Sequence, residues 1–452
     1  IKKTGYTYLM TIYALSTGPG ISGMATIRIS GKKAHEVITR LTKGKFPIPR
    51  VATLKKINKI NTNELIDEGL ILWFPAPHSY TGDDMAEIHV HGSLAVIKAV
   101  QDSISQIENC RLAEPGEFTK IAFQNNKINL LKAESIGDLI SSETEIQRMQ
   151  AINMMSGINS EKFNSWRDSL LKVLSHIEAK IDFPEEEIDD KILINIKKES
   201  EKVQSEIKKT LNDQKVGERI REGFKIAIVG PTNAGKSSLL NYLSKREVAI
   251  VSETAGTTRD VIETHLNLDG LPVILSDTAG IRESKNEIEN KGIKLAIKKA
   301  EDADLNIVVI EPKSVYFTAF LKDLISDKSI LVINKSDLGI DNIVEEFKKY
   351  NPVFISIKNE KNIENLISKI KDKLKNKFVN ADDILITRER HRQNLEQCVD
   401  HIENFKSKTE LEDFDKAAED LRLATRNLGM IVGKVDVEEI LGSIFSEFCI
   451  GK

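Results

Sequence analysis

The sequence predicts a multidomain chain with α/β and all-α parts: an N-terminal α/β domain, a discontinuous helical domain, and a doubly wound P-loop domain inserted into the helices. Three observations predict it. Residues 223 to about 375 alternate short apolar runs with helix-like stretches, as a parallel sheet wrapped by helices requires. On both sides of that block, apolar residues recur at helical spacing instead. Gly230-Pro-Thr-Asn-Ala-Gly-Lys-Ser237 follows the apolar run Phe224–Val229 and precedes the helix-like Ser238–Leu243, the strand–loop–helix order of a phosphate cradle. At 452 residues the chain exceeds one ordinary core, so about three domains are expected.

The N-terminal part, residues 1–125, reads as mixed α/β. Strands are expected at Thr7–Leu15, Gly23–Ile29, Leu70–Phe74 and Glu87–Val90, and helices at Ala34–Leu41 and Leu94–Ile107. The short apolar start of the chain, interrupted by Thr11, reads as a strand rather than a signal segment. Residues 126–222 form the first helical part, with Leu130, Leu131, Ala133, Ile136, Leu139 and Ile140 at helical spacing. A break follows at Pro184-Glu-Glu-Glu187. Residues 223–375 are the P-loop domain, and residues 376–452 return to helix, with Leu395, Val399, Ile402, Leu421 and Leu428.

Composition excludes several classes. Net charge is −3, so nucleic-acid binding would need a local basic patch rather than bulk charge. Three scattered cysteines, Cys110, Cys398 and Cys449, form neither a disulfide framework nor a zinc pattern, which fits a cytoplasmic setting. No stretch has the apolar length of a membrane span, so no membrane partner is expected. His89 and His91 alternate on one strand but lack further ligands at metal spacing.

The cradle's partners identify the nucleotide as GTP or GDP. Lys236 can reach the outer phosphates, and the Ser237 hydroxyl can ligate Mg²⁺. Asp277-Thr-Ala-Gly280 follows the strand Leu271–Leu275; Asp277 can hold Mg²⁺ through water, and the Gly280 N–H can meet a γ-phosphate. Asn334-Lys-Ser-Asp337 follows the strand Ser329–Ile333. There Asp337 can accept from guanine N1–H and the 2-amino group, neither of which adenine offers. Asn334 can meet guanine N7, and the Lys335 stem can pack on the base. Ser356-Ile-Lys358 stands where a second base loop would meet the guanine carbonyl. Thr258, in Gly256-Thr-Thr-Arg-Asp260, can complete the Mg²⁺ shell. The full nucleotide set is Asn233, Ala234, Gly235, Lys236, Ser237, Ser238, Ser252, Thr257, Thr258, Asp277, Thr278, Ala279, Gly280, Asn334, Lys335, Asp337, Ser356, Ile357 and Lys358.

Ile281 stands where many small GTPases carry a water-orienting glutamine. Either hydrolysis is poor or another group takes that role, and Glu283, Glu287 and Glu289 are the nearby carboxylates. Asn233, with carbonyls of the loop Val248–Gly256, could hold a monovalent cation against the phosphates in place of an arginine finger. The other reading of Asn233 is a turn-capping residue.

These motifs, with Gly18–Gly31, Tyr80-Thr-Gly-Asp-Asp-Met-Ala-Glu87, Pro115-Gly-Glu-Phe-Thr-Lys120 and the terminal Cys449-Ile-Gly-Lys452, resemble the tRNA modification GTPase (MnmE/TrmE) family along essentially the whole chain. Tyr80 and Asp83 depart mildly from a Phe and a Glu common there. The resemblance implies an N-terminal domain similar to folate-binding domains, through which a homodimer forms. It implies work with a flavin-dependent partner of the MnmG (GidA) type on the tRNA wobble uridine. The product is a 5-aminomethyl-type (carboxymethylaminomethyl) group, its one-carbon unit drawn from a tetrahydrofolate in the 5,10-methylene or 5-formyl form. It further implies potassium activation, with Asn233, Ser252, Thr254 and Thr257 around K⁺ and Glu289 as the water-orienting carboxylate. Arg28, Glu87, Lys127 and Lys452 match the folate-contacting positions. On this reading Glu289, Asn233 and Lys236 are catalytic. The competing expectation is a regulatory GTP switch of the ribosome-assembly type, without modification activity.

Overall fold

The computed structural model describes residues 10–182, 190–231, 233–246, 249–250, 263–277, 298–312, 325–339, 345–375, 384–410, 413–435, 438–446 and 448–451. The described chain separates into two compact units, Ile1–Gly137 with Leu428–Lys452, and Asp138–Asn427.

In the first unit the strands are β1 (Thr11–Leu15), β2 (Ser22–Ser30), β3 (Thr53–Asn58), β4 (Leu65–Phe74), β5 (Met85–Gly92) and β6 (Cys110–Leu112). They form one sheet in the order β3-β4-β5-β2-β1-β6, antiparallel except for the β1–β6 pair. The period-two pattern of β2 and β5 sends Ala25, Ile27, Ile29, Ile88 and Val90 to one face. Helices α1 (Ala34–Leu41) and α2 (Leu94–Ser105) cover them through Val37, Ile38, Leu41, Ile97 and Val100. The Ser93 hydroxyl caps α2 by accepting from the Val96 N–H at 3.2 Å, worth about 1 kcal/mol.

Strand β3 and the first half of β4 escape the sequence reading. Lys55 and Lys56 interrupt the apolar alternation of β3, and Asp67 and Glu68 that of β4. Backbone pairing, with Leu54 opposite Leu70, decides them instead. Strand β6 has only three residues, too short to carry a period.

Helices α3 (Glu117–Gln124) and α4 (Leu130–Ile140) follow. The C-terminal helix Glu438–Ser446 packs Leu441, Ile444 and Phe445 against Leu130 and Ala133. The last described residues then pair with the N-terminal part: Ile450 bridges Pro115, and the Gly116 N–H donates to the Cys449 carbonyl at 3.5 Å.

In the second unit α5 (Glu145–Met155), α6 (Ile158–Asp182) and α7 (Asp190–Leu211) are long helices, with Phe163, Trp166, Leu170, Val203 and Ile207 buried. The seven-residue α8 (Val216–Glu222) ends at Gly223 (φ +102°) and leads directly into β7 (Phe224–Val229). Strands β8 (Ala249–Ile250), β9 (Glu263–Leu268), β10 (Leu271–Asp277), β11 (Leu305–Ile310), β12 (Ser329–Ile333) and β13 (Val353–Phe354) join β7 in the order β13-β12-β11-β7-β10-β9-β8. Pairing is parallel from β13 through β10 and antiparallel at β9 and β8.

Strand β7 lies centrally, so both its faces are covered. Phe224, Ile226 and Ile228 enter one apolar cluster, and Ala227 and Val229 the other. This explains why Ile226–Val229 is continuously apolar rather than alternating. Helix α9 (Lys236–Arg246) follows β7.

Candidate functional site

The cradle stands where β7 hands over to α9. Gly230 has φ +152°, and a Cβ there would lie 2.0 Å from the Val309 carbonyl oxygen of β11. Only glycine lets the loop leave between the two central strands. The Ala234 N–H donates to Pro231 O at 3.4 Å across a turn whose third residue, Asn233, has φ +63°. Asparagine tolerates that left-handed position, and its side chain stands exposed on the loop. Lys236 is 8% exposed, and its ammonium donates to Gly230 O at 2.9 Å and Pro231 O at 2.8 Å. The loop thus curls around a cation. Ser237 and Ser238 stand exposed in the first turn of α9.

Asn334, 3% exposed, ties this loop to two others. Its Nδ2 donates to Ala234 O at 2.9 Å, and its Oδ1 accepts the Ile357 N–H at 3.3 Å. Gly235 is required beside it: at φ +98° a Cβ would sit 2.2 Å from that Nδ2. Lys335 takes φ +59°, and its ammonium pairs with Glu311 at 2.7 Å, which fixes the direction of the stem. The fully buried Ser356 donates to Asp337 Oδ1 at 2.6 Å. That hydrogen bond, above all, holds the exposed Asp337 carboxyl below its ordinary range. Among the described residues, Lys358 N–H is the one amide of Ser356-Ile-Lys358 with no internal acceptor, since Ser356 N–H goes to Lys361 O and Ile357 N–H to Asn334.

Asp277 ends β10, in register with Ile228 of β7, so its backbone stands beside the root of the cradle. Ser252, Thr254, Thr257, Thr258, Thr278, Ala279, Gly280 and Glu289 lie outside the described residues.

A second cluster lies in the other unit. Arg28 of β2 stands opposite Glu87 of β5, and its Nε and Nη2 donate to Glu87 Oε1 at 3.1 and 2.9 Å. Arg28 Nη1 also donates to the Gly451 carbonyl at 3.3 Å, which the Ser16 hydroxyl reaches at 3.0 Å. The guanidinium sits 5.9 Å from the centroid of Tyr80 and 5.8 Å from that of Phe118. Burial pushes the Tyr80 phenol upward in pKa, and its hydroxyl is paired with Thr119 at 2.9 Å.

His89 presents Nε2 3.6 Å from Glu87 Oε2, too long for a hydrogen bond, and that nitrogen is buried with no partner. The Lys127 ammonium donates to Pro77 O. Lys452 lies outside the described residues. The sequence reading used His89 only to weigh a metal centre. Its period-two spacing from Glu87 is the signal that it shares the Arg28–Glu87 face. Among the described residues no group of acidic, His and Cys side chains has metal-binding geometry.

A central parallel strand, a glycine cradle around a lysine and an Asn–Asp base loop after β12 of the same sheet define a P-loop GTPase. A family model described as the MnmE helical domain matches residues 130–449, and one described as the GTP-binding protein TrmE N-terminus matches residues 11–127. The tRNA modification GTPase MnmE of Pelagibacter ubique is 70% identical over 443 residues, covering 98% of this chain and all of the relative. Those of Rickettsia bellii and Parvibaculum lavamentivorans are 44% and 42% identical, at the same coverage. The chain belongs to the tRNA modification GTPase MnmE family. Among solved structures, Aquifex aeolicus Era bound to GDP and aluminium fluoride is 29% identical, covering 33% of this chain and 56% of that one at TM-score 0.26.

Proposed function

We propose that this chain is a GTP hydrolase of tRNA modification. It takes part, with a flavin-dependent MnmG-type partner, in forming the 5-aminomethyl-type (carboxymethylaminomethyl) group on the wobble uridine from a tetrahydrofolate one-carbon unit. It works as a cytoplasmic homodimer. The observation that carries the reading is the Arg28–Glu87 pair, with the C-terminal segment laid on it. A switch without modification chemistry has no use for a segment laid across a half-buried ion pair.

On this reading Asp337, held ionised by Ser356, accepts the guanine N1–H and 2-amino group. The Lys358 N–H takes the guanine carbonyl, and Lys335 covers the base. Lys236 exchanges its two loop carbonyls for phosphate oxygens, a substitution its buried position has already desolvated. Mg²⁺ would be held by Ser237, with Thr258 and, through water, Asp277; it supplies charge neutralisation at the phosphates. The exposed amide oxygen of Asn233 is a hard donor that fits K⁺, with Ser252, Thr254 and Thr257 completing its shell. Glu289 orients the attacking water, since Ile281 cannot. The orphaned His89 Nε2, the carboxylate of Glu87 and the cation of Arg28 suit a heterocycle rich in N–H and carbonyl groups. Lys127 and Lys452 would meet its anionic tail.

The direct test is calorimetric binding of 5-formyltetrahydrofolate to the purified protein. Micromolar binding that is lost in Arg28→Ala supports the reading. No binding at high micromolar ligand, with GTPase activity intact, returns the chain to the regulatory-switch alternative.

A further inference from the structure

Between Glu36 and Glu64 the chain carries seven cations, Arg40, Lys43, Lys45, Arg50, Lys55, Lys56 and Lys59, and no acidic residue, in a protein of net charge −3. The fold draws part of this run into one patch. Thr42, at the end of α1, bridges Ile57 of β3, so residues 42–45 run along the free edge of the sheet. The Lys55 ammonium donates to the carbonyls of Lys43 and Lys45, at 3.4 and 2.5 Å, and pins that loop. Lys43 and Lys45 are exposed, and among the described residues neither has an acidic partner. Arg50 and Lys59 are spent elsewhere, on His78 O and Glu64. Directly after Lys45, Phe46 stacks on the exposed His35 ring at 4.1 Å and 16°, with Trp73 edge-on beneath at 5.2 Å.

Three lysines of the helix Ile363–Lys375 differ. Lys369 and Lys373 donate to Asn351 O and Asp327 O, and Lys371 pairs with Asp269, so their ammoniums serve the fold.

We infer that the β3 edge, with Lys43 and Lys45 as phosphate contacts, Lys55 as the positioning residue beneath them and the His35–Phe46 pair as a stacking platform, is a landing surface for a folded RNA. Unpaired cations beside an exposed ring suit a phosphate backbone with an accessible base. An acidic protein or an anionic membrane would use the charge but not the ring. This inference rests on the reading that tRNA is the substrate.

The test titrates full-length protein with an unmodified tRNA transcript carrying a wobble uridine, over a series of KCl concentrations. Lys43→Gln/Lys45→Gln should weaken binding about tenfold or more. It should also reduce the slope of log K against log salt by roughly 1.4–1.8, about 0.7–0.9 for each phosphate no longer neutralised. Lys43→Arg/Lys45→Arg should keep the wild-type slope, and so should the control pair Lys198→Gln/Lys202→Gln on α7. GTP hydrolysis should be unchanged in all three. Wild-type affinity and slope in the Gln pair would overturn the surface while leaving the tRNA reading intact. Failure of the wild-type protein to bind tRNA at any salt, with GTPase activity present, would overturn both. If the Gln pair binds tRNA normally but loses vesicles of anionic phospholipid, or a poly-glutamate peptide, the surface belongs to that other partner and the inference falls.

Discussion

Asp337 concentrates the nucleotide choice in one side chain. Its carboxylate is the acceptor pair of the base loop, and Ser356 sets its orientation through a 2.6 Å hydrogen bond. Asp337→Asn replaces an acceptor by a donor facing the 2-amino group of guanine. GDP affinity should fall by about 2–3 kcal/mol, roughly 30- to 150-fold, while xanthosine diphosphate, with a carbonyl at that position, should gain. Calorimetry with both ligands checks this, and equal losses for the two would contradict it. Because the Asp337 carboxyl is held below its ordinary range, guanine affinity should stay flat as pH falls toward about 4 and be lost only as that depressed pKa is crossed. At the phosphates, potassium but not sodium should stimulate hydrolysis, and Asn233→Ala should remove the stimulation. Identical rates in the two salts would reject the cation role.

At the scale of an element, the C-terminal segment depends on one glycine. Gly451 has φ +96°, and a Cβ there would lie 2.3 Å from the Leu15 carbonyl, a backbone atom that cannot swing away. Gly451→Ala should therefore lift the segment from Ser16 and Arg28 and cut 5-formyltetrahydrofolate affinity about tenfold or more, since the left-handed penalty alone is about 1–2 kcal/mol. GTP hydrolysis by the same variant should be unaltered, and unchanged folate affinity would detach the segment from that site. The cradle depends on glycine in the same way, at Gly230 and Gly235, where neighbouring strands and Asn334 leave no room. These two were legible as motif glycines. The need at Gly451 was not, because the Leu15 carbonyl that crowds it belongs to the opposite end of the chain.

For the larger unit, the connection into β7 is held by a buried ion network. Arg392, 5% exposed, donates to both oxygens of Glu218 on α8 at 2.7 and 3.0 Å, to Asp213 at 2.6 Å and to Leu211 O at 3.0 Å. Burial works against its charge, but the two carboxylates more than offset that and raise its pKa. Arg392→Ala leaves Glu218 buried without its partner and should cost about 3–5 kcal/mol, read as a lowered calorimetric Tm. Arg392→Ala/Glu218→Ala should recover part of that loss. An unchanged Tm in the single variant would mean that the network contributes nothing. Arg221 and Arg388 share Asp138 at 2.9 and 2.6 Å, so the segments before β7 and after the helix Ile363–Lys375 are both anchored to one carboxylate. Neither of these two pairs has a sequence signature, because their members lie 83 and 250 positions apart.

The sequence by itself determined the class of protein. Motifs such as Gly230–Ser237 and Asn334–Asp337 act through backbone shape and through chemistry local to a few residues, so their spacing is enough to identify them. Apolar runs marked β7 and β12 for the same reason, since an inner strand is buried on both faces. Tertiary structure alone decided which distant groups meet. It paired Arg28 with Glu87 and brought Gly451 onto them, aimed the Asn334 amide at two loops, and left His89 Nε2 without a partner. It also divided the lysines, tethering Lys369, Lys371 and Lys373 and leaving Lys43 and Lys45 exposed over Lys55. Charge and hydrophobicity are properties of a residue, but a partner is a property of the fold.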